Sequence, residues 1–489
     1  MDYTSLISGT DIRGTAIGQN AILTTKAASD IAAAFLLSLN VQKPTIAIGR
    51  DSRISGEALA DAVMHTLKEM GAKVMSVGLA STPSMFMMTK LADCDGAIML
   101  TASHHPYDKN GMKFFTPNGG ISSKELKAIV ARAGEGNFAT ADGGNIIEGD
   151  YLSLYCEHIK NIIKSGLGDD GLKNFKIVVD AGNGAAGFYA TKILQPLGAD
   201  VSASQFLEPD GMFPNHQPNP ENAVAMASIS GRVKESGADL GIIFDTDGDR
   251  CAIVTSDGVE INRNRLIALI SAIILEENKG AYIVTDSVTS DGLAQFIKNK
   301  GGVHIRYKRG YKNVIDYAKK LCDECKYAPL AIETSGHAAM KENYFLDDGA
   351  YLVTLLLIRS AILKKQGKSL SDIISELKEP LDAAEVRLPL LGDDWKMNAD
   401  KVIERVKEAT CNVNGFTHAP DNHEGIRVNL DDGKGWFLIR KSVHDPIMPV
   451  NAESDLGRGC KEILEKLYQI LIEFQNVLDL SPLKKYLGK

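Results

Sequence analysis

Residues 44–78 read PTIAIGRDSRISGEALADAVMHTLKEMGAKVMSVG. A short β-branched run gives way to an Asp/Ser/Gly turn. Apolar residues at helical spacing follow, then Gly71 and a second apolar run. That order predicts a β-α-β unit. The same grammar returns in FKIVVDAGNGAAGFYATKILQPLGADVSASQF (175–206) and in AYIVTDSVTSDGLAQFIKNKGGVHIRYKRG (281–310). A unit repeated in this way predicts three similar α/β domains.

Each unit is followed by a further apolar strand that ends on a polar loop. The junctions are DGAIMLTASHHP (95–106), DLGIIFDTDGDR (239–250) and PLAIETSGHAAM (329–340). Strand ends are where α/β sheets hold their ligands. The loops differ in chemistry: one offers a hydroxyl, one three carboxylates, one a Glu-Ser-His set. Such complementary loops predict one shared cleft between domains. After Pro389 the pattern changes to short strands (IRVNL, GWFLIRKS, IMPVNAES) and one amphipathic helix, DLGRGCKEILEKLYQILIEFQNVL. That is a smaller α+β domain.

The 489 residues, 44% of them hydrophobic, suffice for several cores, and the net charge is −8. No strongly basic segment is present, so neither nucleic acid nor an anionic membrane is expected as a partner. The opening MDYTSLISGTDIRG has no basic stretch followed by an apolar one, so no signal peptide is expected. The apolar run around Leu266–Leu275 is too short to span a bilayer. Seven scattered cysteines fit a reducing cytoplasm better than a disulfide framework. Cys322 and Cys325 form a CxxC without a second Cys or His pair, which argues against zinc. Oligomeric state is not readable from this sequence.

In DTDGDR, Asp245, Asp247 and Asp249 alternate, and their carboxylates suit Mg²⁺, Mn²⁺ or Ca²⁺. An EF-hand is excluded by Arg250 at its sixth position and Ser256 at its twelfth. A nucleophilic Asp245 with Asp247 as acid/base would instead make a phosphatase. Beside a divalent metal, Ser103 becomes a candidate phosphoryl carrier, with Lys113 and Arg250 as nearby positive charge. Glu333, Ser335 and His337 suit vicinal sugar hydroxyls. Arg440, Lys441, Ser442 and His444, in RKSVHDP, form a candidate phosphate grip.

Taken together, these motifs resemble those of the α-D-phosphohexomutases over nearly the whole chain. TASHHP is similar to the family's phosphoserine loop, DTDGDR to its metal loop and ETSGH to its sugar loop. SGTDIRG, GRDSRISGE, VDAGNGAAG and DGMFPNHQPNP also resemble family segments. The resemblance implies three similar α/β domains with mixed sheets plus a smaller C-terminal α+β domain around a central cleft. Expected spans are 1–165 with the phosphoserine loop, 166–262 with the metal loop, 263–382 with the sugar-binding loop and 383–489 with the phosphate-binding loop. It further implies phosphorylation of Ser103, with Mg²⁺ on Asp245, Asp247, Asp249 and the Ser103 phosphate. Arg13, His104, Lys113 and Arg250 would surround the transferring group. Glu333 and Ser335 would hold sugar hydroxyls, and Arg440 and Ser442 the idle phosphate. His105 stands where the family usually has Asn. Val443, His444 and Asp445 replace the usual Gly-Thr-Glu, and Tyr311 and Lys312 occupy a loop that carries His in some members, leaving the general base unassigned.

The expected function is reversible phosphoryl transfer between the 1- and 6-positions of glucose phosphates and of mannose phosphates, a cytoplasmic isomerase reaction. It would run through phosphoserine and a hexose 1,6-bisphosphate, which also serves as primer. A phosphoglucosamine mutase and a hexose 1,6-bisphosphate synthase use the same serine chemistry. A non-catalytic sugar-phosphate binding protein is the alternative from another class.

Overall fold

The structure, a computed structural model, describes residues 1–411, 414–430, 433–442 and 445–489. It divides into two compact units. The first comprises Met1–Leu269 with Ser335–Ile374, and the second Ile270–Thr334 with Ser375–Lys489.

In the first unit, the opening β-α-β motif folds as expected. Strand Thr45–Arg50 pairs in parallel with Lys73–Leu79, and helix Gly56–Glu69 connects them. Gly96–Leu100 joins the other side of Thr45–Arg50, also in parallel. Lys109–Thr116 then returns antiparallel to Gly96–Leu100, and Asp11–Thr15 pairs antiparallel with Lys109–Thr116. The sheet is therefore mixed. Its central strand Gly96–Leu100 is buried along its whole length, which is why its sequence reads as an unbroken apolar run. Helices Thr25–Ser38, Gly56–Glu69 and Ser123–Glu135 cover one core with Ile31, Phe35, Val63, Ile98 and Phe114.

A second sheet of the same unit runs Glu260–Ile261, Cys251–Thr255, Leu240–Phe244, Ile177–Asp180. Only its last pair is parallel. Here the expected β-α-β unit of 175–206 is cut short. A π-helical turn, Tyr189–Leu194, passes into a 3-10 turn, Gln195–Leu197, and ends at left-handed Gly198. The returning segment makes only isolated bridges, Lys176 with Asp200 and Asp180 with Gln205. A side chain takes one cross-strand position, with Ser204 Oγ accepting from Val179 N at 3.0 Å, while Asp200 caps its own turn by accepting from Ser202 N.

In the second unit, Tyr282–Asp286 lies between Val303–Tyr307 and Leu330–Ile332, all parallel. The C-terminal part is an antiparallel sheet in the order Asp382–Pro389, Ile447–Ser454, Gly435–Ile439, Ile426–Leu430, Phe416–His418. Helices Trp395–Thr410 and Gly459–Leu471 contribute Val402, Ile463 and Leu467 to its core. Among the described residues no helix is long and apolar enough to cross a membrane.

Strand Asp11–Thr15 is held where only glycine fits opposite it. A Cβ on Gly111 would lie 2.3 Å from Ile12 O and 2.5 Å from Thr101 O. Ile12 O cannot move without unpairing its strand, and Thr101 directly follows strand Gly96–Leu100. Gly111→Ala should cost about 3 kcal/mol by overpacking. The expected signature is a lowered thermal midpoint with faster amide exchange at Ile12–Thr15.

Candidate functional site

The chain leaves strand Gly96–Leu100 at Thr101 and places Ser103, nearly buried, in the left-handed region with φ of 50°. For a residue with a Cβ this conformation costs about 1–2 kcal/mol. Surrounding contacts must therefore hold it. Ser103 N donates to Thr101 Oγ1 at 2.9 Å, and that hydroxyl donates to Asp51 Oδ2 at 2.7 Å. From the other side comes Arg53, 1% exposed. Its guanidinium donates to the carbonyls of Pro106 (2.6 Å), Lys109 (2.8 Å), His105 (2.6 Å) and Ser103, and Nε donates to Asp51 at 3.2 Å. Burial raises the Asp51 carboxyl to about 6, and Arg53 and Thr101 oppose that rise.

Strand Leu240–Phe244 ends on the aspartate loop, turned by left-handed Gly248. One oxygen each from Asp245, Asp247 and Asp249 lies within 4.8 Å of the others, and all three residues are buried. Like charges this close and dry repel strongly. Lys113 Nζ answers with bonds to Asp247 Oδ2 (3.0 Å) and Asp249 Oδ2 (2.5 Å). Arg250 Nε donates to Asp245 Oδ2 at 3.0 Å. Burial and the other two carboxylates push Asp245 well above the ordinary carboxylate range. Burial acts in the same sense on Asp247, but Lys113 and Thr82 outweigh it and hold that carboxyl below its ordinary value. Two oxygens, Asp247 Oδ1 and Asp249 Oδ1, are buried without a hydrogen-bond donor. Buried acceptors of this kind call for a partner. A hard divalent cation fits this oxygen-only donor set.

The serine and aspartate loops meet. Ser103 Oγ lies 3.0 Å from Asp245 Oδ2 and 3.1 Å from Arg250 Nη2. His104 Nδ1 lies 2.7 Å from Arg250 Nη2. A guanidinium only donates, so Nδ1 carries a lone pair and this imidazole is neutral. Burial and Arg250 press it well below the usual imidazole range in accord with that. Arg13 sits on the adjoining strand, its Nη1 3.3 Å from Ala102 O and its Nη2 paired with Asp11 at 3.0 Å. Ser335 Oγ is 2.9 Å from His337 Nδ1, and His337 Nε2 is 3.7 Å from Asp249 Oδ1. The structure thus gathers Ser103, His104, Lys113, Arg250, Ser335, His337 and the three aspartates in the first unit.

The second unit holds another charged cluster. Glu333 is buried and accepts from Gly310 N at 2.6 Å. Burial, with Asp286 and Glu424 nearby, raises its carboxyl to about 8, against the pull of Arg309. Glu424 accepts from Arg309 N at 2.9 Å and from Ser287 Oγ, and its Oε1 lies 4.0 Å from Arg440 Nε. Ser442 N donates to Ile447 O, and Ser442 Oγ accepts from Asp445 N at 3.3 Å. Lys441 is turned onto Asp400 at 2.5 Å. His444 lies outside the described residues.

Against known proteins, three family models match in series: phosphoglucomutase/phosphomannomutase α/β/α domain I over residues 5–140, domain II over 153–258 and domain III over 262–381. The chain belongs to the α-D-phosphohexomutase family. A phosphomannomutase/phosphoglucomutase of Pseudomonas syringae pv. tomato is 32% identical over 419 residues, 86% of this chain and 85% of that one. A phosphoglucomutase of Neisseria gonorrhoeae is 32% identical over 431 residues, 87% of this chain and 88% of that one. Among solved structures, a phosphoglucomutase/phosphomannomutase family protein of Burkholderia thailandensis matches with a TM-score of 0.81 and 28% identity, covering 97% of this chain and 98% of that one.

Within this phosphohexomutase several site residues escaped the sequence reading. Arg53 had no separate signal, although it lies in the family-like GRDSRISGE. Gln217 Nε2 donates to His104 O at 3.0 Å, and Asn219 Oδ1 accepts from Arg250 Nη1 at 3.3 Å. Both lie in DGMFPNHQPNP, where the only signal was family likeness. His105, in place of the usual Asn, stacks its ring on His104 at 5.2 Å. Its carbonyl, which any residue would supply, is what Arg53 uses.

The raised Glu333 carboxyl has a consequence for stability. A carboxyl raised on folding stabilises fully below its unfolded value, and that contribution is lost as pH rises through the folded one. Between about pH 4.5 and 8 the protein should therefore lose thermal stability relative to Glu333→Gln. Melting both proteins across that range checks this; a constant difference in midpoint would contradict it.

Proposed function

We propose that Ser103 is the phosphoryl carrier in a hexose-phosphate mutase that interconverts the 1- and 6-phosphates of glucose, with mannose phosphates as further substrates. The enzyme class follows from family membership: a phosphohexomutase moves a phosphoryl group within a hexose phosphate. The observation that carries the serine assignment is its placement. A strained, nearly buried hydroxyl lies 3.0 Å from one carboxylate of an aspartate triad and 3.1 Å from a buried guanidinium.

In the forward direction, the 6-hydroxyl of a hexose 1-phosphate attacks the phosphorus of phosphoserine and gives up its proton, and the released Ser103 Oγ takes one up. The P–O bond to Ser103 Oγ breaks, and a hexose 1,6-bisphosphate results. After reorientation, Ser103 Oγ takes the phosphoryl group from the 1-position and leaves the 6-phosphate. Arg250 Nη2, already on Oγ, offsets charge on the departing serine oxygen. Lys113 pairs with Asp247 and Asp249 and offsets their charge. Neutral His104 holds the Arg250 fork with its lone pair. Glu333, Ser335 and His337 bind sugar hydroxyls, and Arg440 and Ser442 receive the phosphate not in transfer, while Lys441 is turned away onto Asp400. Asp245, Asp247 and Asp249, with the Ser103 phosphate, would hold Mg²⁺, which supplies positive charge to the phosphoryl oxygens. Transfer of this kind depends mainly on positioning and electrostatics. Hexose 1,6-bisphosphate serves as primer for chains that have lost their phosphate.

Phosphorus NMR of glucose 1-phosphate with the protein, Mg²⁺ and a trace of glucose 1,6-bisphosphate should show glucose 6-phosphate growing in. Ser103→Ala should lower that rate by more than about 10³-fold, the scale of losing a nucleophile. Free phosphate as the sole product would point to a phosphatase, and accumulated bisphosphate to a bisphosphate synthase. No reaction until glucosamine phosphates were supplied would move the substrate to that sugar.

Removing divalent metal with a chelator should abolish turnover, and Mg²⁺ should restore it. Asp247→Asn should lose that restoration at the same Mg²⁺ concentration. Full activity of the metal-free protein would contradict the assignment.

A further inference from the structure

Arg53 is buried in the first unit, and its guanidinium is spent on the serine loop. A guanidinium has five N–H donors. Nε goes to Asp51, Nη1 to the carbonyls of Pro106 and Lys109, and Nη2 to those of Ser103 and His105. No donor remains to bind a substrate. The planar fork instead gathers carbonyls from both ends of one turn, residues 103 to 109. Such a turn exposes its carbonyls inward, and buried carbonyls need donors. The partner of Arg53, Asp51, completes the clamp. Its Oδ1 accepts from Arg53 N, and its Oδ2 accepts from Thr101 Oγ1, which in turn accepts from Ser103 N. The amide and the carbonyl of Ser103 are thus both tied to one buried ion pair.

The surroundings seal the clamp. The Phe213 ring lies over the guanidinium at 5.4 Å. Gly211 passes so close to the backbone of Arg53 that a Cβ would lie 2.6 Å from Ile54 N and from Ser52 O, and 2.9 Å from Arg53 Cα. The held residue is strained, since Ser103 has φ of 50°. A free loop would relax toward negative φ and swing Oγ away from Asp245 and Arg250.

We propose that Arg53, with Asp51, is a positioning residue for phosphoryl transfer. It sets the direction of Ser103 Oγ without touching the sugar phosphate. The inference rests on Ser103 being the phosphoryl carrier. Loss of the fork misaims the hydroxyl, which slows transfer and leaves substrate affinity alone. A misplacement of about 1 Å can cost about 10²-fold in rate.

Arg53→Lys tests this. Lysine keeps a positive charge beside Asp51, but its compact ammonium cannot span four carbonyls. In the full-length protein with Mg²⁺ and glucose 1,6-bisphosphate, kcat on glucose 1-phosphate should fall about 10²-fold. KM should stay within about three-fold, and amides 103–109 should exchange faster with deuterium. A purely structural role would lower the folded fraction but leave kcat per folded chain unchanged. If Arg53→Lys does not fold, Thr101→Val removes the hold on Ser103 N instead and should show the same split, smaller in size. A folded variant with kcat within two-fold of the parent, or with unchanged exchange at 103–109, overturns the proposal. Failure of the parent protein to take label at Ser103 would instead overturn the carrier reading, and the exchange comparison would still judge the clamp.

Discussion

Everything around the serine depends on keeping three carboxylates dry and close together. Asp245, Asp247 and Asp249 lie buried with one oxygen each inside 4.8 Å. Carboxylates so placed protonate or separate unless cations meet them. Lys113 arrives from the long antiparallel strand of the first sheet, and Arg250 from the end of the aspartate loop itself. The pairing draws two sheets of one unit to a common point, and Ser103 is placed there with them. Two carboxylate oxygens are left without a donor, so the arrangement is best satisfied when a cation is present. A cation bound there would favour the folded form of the first unit.

The second unit applies the same logic to other ends. Asp286, Glu333 and Glu424 crowd near Arg309, and Arg440 approaches Glu424. Burial leaves Glu333 with a raised carboxyl, close to the range where a small change in surroundings decides its proton. Lys441, by contrast, is spent on Asp400 and adds little positive charge to this cluster.

The sequence made some of this legible for a simple reason: apolar strands ended abruptly on polar loops. DTDGDR and TASHHP could be read because their chemistry lies in consecutive side chains. Arg53 could not, because its targets are backbone carbonyls, which carry no sequence signature. Gln217 was hidden in the same way, since it bonds to His104 O. Glu424 was hidden by distance, its partners Arg309 and Ser287 lying 115 and 137 residues away. The shortened second repeat was missed because 175–206 follows the same order of apolar run, turn and helical spacing as the other two units, while its shortening lies in side-chain bonds of Ser204 and Asp200 to backbone amides. Glycine placement was legible as turns, whereas the close approach at Gly111 required the strand pairing to be known.

The central claim is that Ser103 hands its phosphoryl group to a sugar. The most direct measurement is a single turnover. Protein carrying ³²P at Ser103 is mixed with unlabelled glucose 1-phosphate and Mg²⁺, quenched early, and the label is followed. The account predicts that label leaves the protein for the 6-position of glucose 1,6-bisphosphate, and appears later in glucose 6-phosphate. Label that stays on the protein, or that leaves only as inorganic phosphate, would contradict it.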